Sequence, residues 1–282
     1  MDCTALTAAP LTLSATTVGS YCCRQMFSGC TSLTTAPSTL PATTAAQYCY
    51  YNMFSGCTAL TTAPAIAATT LANYCFTSMF YNCSSLTSAP AWSATSSGIP
   101  TYACRQMYYG CTSLVTSPVA SLPSGTVSSN ACYQMFYNCT ALTTAPALPA
   151  TKMGDSCYLG MFYGCDSLTT PPALPATTLS ISCYQNMFSG CDNLESLPAL
   201  PATKLGQYCY ASMFNACAKI KLSTTETDEY TTAYRIPPAN TGSTATNAMS
   251  SMFSSTGGTF TGTPTINTTY YTSNTIVPAT SA

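Results

Sequence analysis

Charge is nearly missing from this chain: Asp, Glu, Lys and Arg make up 5% of its 282 residues, against about 25% in an ordinary soluble domain. Seven bases and eight acids leave a formal net charge of −1, too little positive footprint for a phosphate backbone or an anionic lipid surface. Nucleic acid is therefore not an expected partner. Histidine is absent, and with it the usual proton shuttle and zinc ligand. No apolar run reaches the roughly 18 residues of a membrane-spanning helix, so membrane insertion is not expected. The opening MDCTALTAAP has neither the basic nor the apolar region of a secretory signal. A hydrophobic fraction of 46% nevertheless argues against a disordered chain.

What the chain has instead is a period. Met26, Met53, Met79, Met107, Met135, Met161, Met187 and Met213 recur at spacings of 26 to 28 residues, each followed by Phe or, after Met107, by Tyr108. Such a period marks stacked repeats. A cysteine stands four residues after each methionine, at Cys30, Cys57, Cys83, Cys111, Cys139, Cys165, Cys191 and Cys217. Cys3 joins the same column, because CTALTAAP matches the CTALTTAP that follows Met53 and Met135. The chain thus opens in the middle of a repeat, and a neighbouring domain or another protein is expected to cap the first coil, since a bare solenoid end exposes core.

Each repeat reads outward from its cysteine. Just before it stand Gly29, Gly56, Asn82, Gly110, Asn138, Gly164, Gly190 and Ala216, mostly the residue types that take a left-handed backbone after a short helix. Stretches such as QYCYYNMF are accordingly expected to form short helical turns. Three residues after the cysteine, Leu33, Leu60, Leu86, Leu114, Leu142, Leu168, Leu194 and Ile220 point inward from a short strand. Pro10, Pro37, Pro64, Pro90, Pro118, Pro146, Pro172 and Pro198 follow and must end it, because proline brings no ladder donor. The expected fold is a repeat solenoid, leucine-rich-repeat-like, with about eight coils of 26–28 residues over residues 1–222. In residues 223–282 the cysteines stop and Met252-Phe253 stands alone, so a degenerate repeat, a C-terminal cap or an extended tail is expected. Lys219, Lys221, Glu226, Asp228, Glu229 and Arg235 gather charge at that boundary.

The block MFSGCTSLTTAP, with CYYNMFSGC leading into it, resembles the BspA-type leucine-rich repeats of bacterial surface proteins. That family usually shows Ala-Phe where this chain has Met-Phe in the pattern Met-Phe-x-x-Cys-x-x-Leu, and the present repeat is slightly longer. The resemblance spans about residues 3–222. It implies a non-catalytic extracellular role in adhesion or recognition, with a host or cell-surface protein or glycan as partner. It implies no particular ligand, because function resides in grafted sites and not in the framework.

A second cysteine column lies eight residues earlier, at Cys22, Cys49, Cys75, Cys157, Cys183 and Cys209, with Ala103 and Ala131 in its gaps and Cys23, Cys104 and Cys132 one place on. Columns that run along a rod do not converge on one metal ion. Bridges between adjacent coils are geometrically allowed at about 5 Å. A column of nine cannot pair completely, and buried thiols acting as small hydrophobes fit better. No metal site, cofactor or catalytic residue is assigned. A cysteine nucleophile would lack a histidine base. Asp2, Asp155 and Glu226 are scattered, and Asp166 and Asp192, with Glu195 nearby, read as a solvated stack on neighbouring coils.

Binding is the expected chemistry, and the exposed columns carry it. Tyr81, Tyr109, Tyr137 and Tyr163 occupy one position on four successive coils, with Arg105 and Tyr133 on the same turns. Such a ladder offers rigid area with polar tips to a sugar ring or a protein. A second candidate is the threonine pair: Thr34, Thr61, Thr87, Thr143 and Thr169 in one column, Thr35, Thr62, Thr116, Thr144 and Thr170 in the next. Regular threonines raise an ice-binding solenoid as a minor alternative, but strand alternation would turn the two columns to opposite faces. The expected place is extracellular or at the cell surface. If Met1 is a native start, a bacteriophage virion protein, fibre or decoration, is the alternative, with another virion protein capping the first coil.

Overall fold

The computed structural model describes residues 3–10, 12–88, 98–238 and 242–279. Met1, Asp2 and Pro90 lie outside them. The chain winds into stacked coils, each with a corner of consecutive turns, a short extended segment and a return segment. Phe27, Phe54, Phe80, Tyr108, Phe136, Phe162, Phe188, Phe214 and Phe253 form one continuous column, each ring nearly parallel to the next at 5.3 to 5.8 Å. Met53, Met79, Met107, Met135, Met161, Met187 and Met213 line up beside them with no exposure, as do the column leucines. Met26 is 45% exposed, because among the described residues no turn ribbon stacks on the outer side of its own.

The expected helical turns are not there: among the described residues no helix forms. In their place runs a ribbon of turns whose amide hydrogens alternate in direction. In the second coil the amides of Cys49, Tyr51, Met53, Ser55 and Cys57 donate back three residues. Those of Tyr48, Tyr50, Asn52, Phe54 and Gly56 donate across to Asn73, Cys75, Thr77, Met79 and Tyr81 of the next coil, at 2.7 to 3.4 Å. A helix sends all its amides along its own axis. Here half of them join coil to coil, so the stack is held by a ladder as well as by its core.

The sequence cause is a period of four. Buried pairs recur at Cys49-Tyr50, Met53-Phe54 and Cys57, with the residues between them at the surface. On a helix of 3.6 residues per turn such pairs would drift by about 40° per repeat. The chain holds the period by turning left-handed at every fourth residue: Tyr48 (φ 57), Asn52 (φ 52) and Gly56 (φ 76) in the second coil, and the equivalent residues in every other. The Gly/Asn column expected to be left-handed is so, from Gly29 (φ 72) to Ala216 (φ 60). At Gly110 the requirement is double, since φ is 69 and a Cβ would collide with Oδ1 of Asn82 in the coil before.

The column cysteines explain themselves in this frame. Cys57, Cys83, Cys111, Cys139, Cys165, Cys191 and Cys217 each donate the thiol hydrogen to the carbonyl of the Phe or Tyr column residue one coil back, at 2.9 to 3.2 Å. A small apolar side chain with one weak donor suits a site that has one spare lone pair and no water. All 18 cysteines are free thiols, and only Cys3 and Cys22 are exposed. Burial pushes the Cys57 and Cys217 thiols up to about 12. A thiol reagent should therefore titrate two groups quickly in the native protein and the other sixteen only on unfolding. Fast reaction of the column thiols would contradict this packing.

The return segments pair in parallel from coil to coil, as in Thr39–Leu40 with Ala65–Ile66, Thr44–Ala45 with Thr70–Leu71, and Gly98–Ile99 with Thr126–Val127 and Lys152–Met153. Beyond Ile220 the pattern loosens without ending. Residues 247–255 form one more turn ribbon, left-handed at Asn247, Ser251 and Ser255, which stacks Phe253 on Phe214. An antiparallel sheet of Leu222–Ser223, Thr269–Thr272 and Thr232–Arg235 closes over it. Tyr234 and Phe260 cover the last ring edge-on, and the Tyr234 hydroxyl donates to the Pro198 carbonyl at 3.0 Å. Thr275–Val277 runs parallel to Ser196–Pro198, extending the strand that ends at its proline.

Candidate functional site

The turn ribbon puts its two surface columns side by side. Tyr81, Tyr109, Tyr137 and Tyr163 stack face to face, at 4.7, 4.7 and 4.4 Å between ring centroids and within 12° of parallel. Arg105 lies over Tyr133 at 5.1 Å, and Tyr133 is close enough to Tyr109 and Tyr137 to disfavour their ionisation. All six residues singled out in the sequence are thus on one face. Burial, then the neighbouring phenols Tyr163 and Tyr109, push Tyr137 up to about 12. Tyr109 is raised by burial and by Tyr81. At neutral pH Tyr109 and Tyr137 therefore present protonated hydroxyls, each a donor and an acceptor.

A second ladder escaped the sequence reading. Tyr21, Tyr48, Tyr74 and Tyr102 stack at 4.9, 4.5 and 4.7 Å, on the position just before the second cysteine column. Tyr51 leans on Tyr48, and Arg24 bridges Tyr21 and Tyr51. The sequence signal was a tyrosine repeating in register with methionine, one residue ahead of cysteines that drew the chemical argument instead.

These tyrosines sit at φ values of 57 to 63, where a bulky side chain is an outlier. Equivalent positions in other coils hold Asn130, Ser156, Ser182, Tyr208 and Asn247, of which the asparagines take that backbone at least cost. Left-handed backbone costs a side-chain-bearing residue about 1–2 kcal/mol, and each stacked pair returns about 0.5–1.5 kcal/mol. Tyr48 stands in two such pairs, so the terms largely offset and Tyr48→Asn is expected to change stability by no more than about 2 kcal/mol, checked by thermal unfolding. A cost above about 3 kcal/mol would make Tyr48 a structural residue and remove the reason to look for function in its strain.

Stacking also settles what these rings can offer. Inside a ladder each face is covered by the next ring, leaving edges and hydroxyls outward. Sugar stacking, which needs a free face, is confined to ladder ends such as Tyr21, 51% exposed.

The threonines depart from expectation. Both members of the pairs are exposed, because the segment makes only isolated bridges, such as Thr35 with Ala8, Thr62 with Ser88 and Thr116 with Thr144, and so lacks the alternation of a pleated strand. Hydroxyls of the first column turn inward: Thr34, Thr87 and Thr143 donate to carbonyls of Thr7, Thr61 and Val115 one coil back. Asp166 and Asp192 do stack; burial and then the Asp192 charge raise Asp166. Glu195 is paired with Lys219, away from any shared ion. Among the described residues no cluster of metal-ligating side chains forms.

The family model for the BspA type Leucine rich repeat region matches in six copies, over residues 1–143, 104–234 and 158–275. No curated protein and no solved structure matches the chain.

Proposed function

Because this chain belongs to the BspA-type leucine-rich repeat family, we propose that it is a non-catalytic recognition protein that attaches to a partner at a cell surface through its turn face. The observation that carries the reading is the pair of stacked tyrosine ladders: Tyr21 to Tyr102 and Tyr81 to Tyr163, on a corner with few charges. Tyrosine, serine, asparagine and glycine with a few arginines is the mixture that antibody paratopes use, because rigid amphipathic rings give contact area at little entropic cost. Pre-stacked rings lower that cost further, having lost their rotamer freedom on folding. The threonine face is a poorer candidate, since part of its hydroxyls already bond to the chain's own carbonyls. The family is generally non-catalytic, and the ladders bring together no nucleophile and base.

The test is a binding screen of the intact protein against host surface proteins and a glycan array, repeated with Tyr109→Ser and Tyr137→Ser combined. The double variant is expected to lose at least about tenfold in affinity for whatever is captured, as for central aromatic anchors. Unchanged binding would remove the tyrosine face as the site.

A further inference from the structure

Between Cys3 and Thr151 the chain has only two charged residues, Arg24 and Arg105. The structure holds both in the same way. The Arg24 guanidinium lies 5.9 Å from the ring centre of Tyr21 and 5.3 Å from that of Tyr51; Arg105 lies 5.5 Å from Tyr102 and 5.1 Å from Tyr133. Each stands three residues after the first left-handed tyrosine of its coil, and each touches one ring of its own coil and one of the next. Neither has a carboxylate partner among the described residues. Arg105 in addition leaves its Nε buried with no acceptor, and an unsatisfied buried donor is costly.

A guanidinium held over aromatic rings keeps its charge, and the planar fork of N–H donors stays pre-organised for a carboxylate. Two such groups three coils apart, at about 4.8 Å per coil, are separated by about 14 Å. An extended chain rises about 3.3 Å per residue, so two side chains on one face, four residues apart, span about 13 Å. On the two coils between them the arginine position holds Tyr51 and Thr77, three residues after the stacked Tyr48 and Tyr74, whose edges suit peptide polar groups better than sugar faces.

Building on the recognition role proposed above, we infer that the first four coils form a two-point site for an acidic protein segment: an extended stretch with two carboxylates about four residues apart, one gripped by Arg24 and one by Arg105, laid across the Tyr21–Tyr102 ladder. The chain supplies the positive half of the pairing and the partner supplies the acids. The net charge of the whole molecule, −1, conceals this because the acids are gathered beyond residue 151, apart from Asp2.

The experiment is fluorescence polarisation with the full chain and a labelled neutral Ser/Thr peptide carrying two glutamates four residues apart. Binding is expected, weakening with added salt, and falling about tenfold for Arg24→Gln and for Arg105→Gln. Arg105→Lys should not restore it, since a point charge lacks the stacked fork. Lys152→Gln, the same charge change on a return segment, should leave it unaltered. Circular dichroism confirms that each variant is folded. No binding by the native chain, equal loss from Lys152→Gln, full activity of Arg24→Gln, or preference for an acidic polysaccharide such as polygalacturonate would each overturn the inference. If it falls while Tyr109→Ser with Tyr137→Ser still abolishes capture of a partner, the recognition role stands and only the arginine site is lost.

Discussion

Phe136→Ala is expected to destabilise the protein by about 3–5 kcal/mol. Phe136 is fully buried, stacked 5.5 Å from Tyr108 and 5.8 Å from Phe162, and its carbonyl accepts the Cys165 thiol. Its removal empties the middle of the ring column and leaves Tyr108 and Phe162 each without a stacking partner on that side. Because each coil touches only its neighbours, the damage should be local: amides of the coils around Phe136 should exchange with solvent while those near Phe214 stay protected. Phe27→Ala should cost less, since among the described residues Phe27 stacks on one ring, Phe54, and Met26 beside it is already exposed. Denaturant unfolding and native-state hydrogen exchange measure both. A loss under about 1 kcal/mol at Phe136, or uniform exchange along the rod, would contradict a stacked-ring core.

Alkali should unfold the protein, and acid should not. Burial pushes Cys49, Cys57, Cys209 and Cys217 up to about 12, from an ordinary value of 9.0, and Tyr137 to about 12 from 10.0. Tyr108, Tyr158, Tyr184 and Tyr210 are raised well above the ordinary range by the same burial. A group whose folded value is raised contributes stability that is complete below its unfolded value and is lost as pH climbs through the folded one. Stability should accordingly hold up to about pH 9, decline through pH 10 and 11, and fail by about pH 12. On the acid side Asp166 is raised by burial and by Asp192, so protonating it relieves the fold. Circular dichroism against pH, with tyrosinate absorbance followed alongside, should show the buried phenols ionising together with the loss of structure. Retained structure at about pH 12 would mean that the thiols and phenols are not buried as described.

Much of this architecture was legible in the residues. Met-Phe spacing placed each coil, and the leucines and, apart from Cys3 and Cys22, the cysteines read as core are buried. The Gly/Asn column is left-handed as its residue types required. Helical turns were misread because buried pairs four apart lie near a helical period, and the deciding feature, a left-handed Tyr48 or Gln106, is not announced by a residue type that normally avoids it. The same fact hid the Tyr21–Tyr102 ladder, although the Tyr81–Tyr163 ladder was visible from register alone. Both threonine columns are exposed, against the alternation a pleated strand would impose, because the segment makes only single bridges. Beyond Cys217 the lone Met252-Phe253 was the trace of a degenerate repeat in the sequence, and in the structure Phe253 stacks on Phe214.

The account turns on which face of the rod meets the partner. Affinity for a captured partner should be measured side by side for two double variants, Tyr109→Ser with Tyr137→Ser on the turn face, and Thr62→Ala with Thr144→Ala on the threonine face. The tyrosine pair should lose at least about tenfold in affinity and the threonine pair less than about twofold. Loss from the threonine pair with the tyrosine pair unaffected would place recognition on the other face and contradict the account.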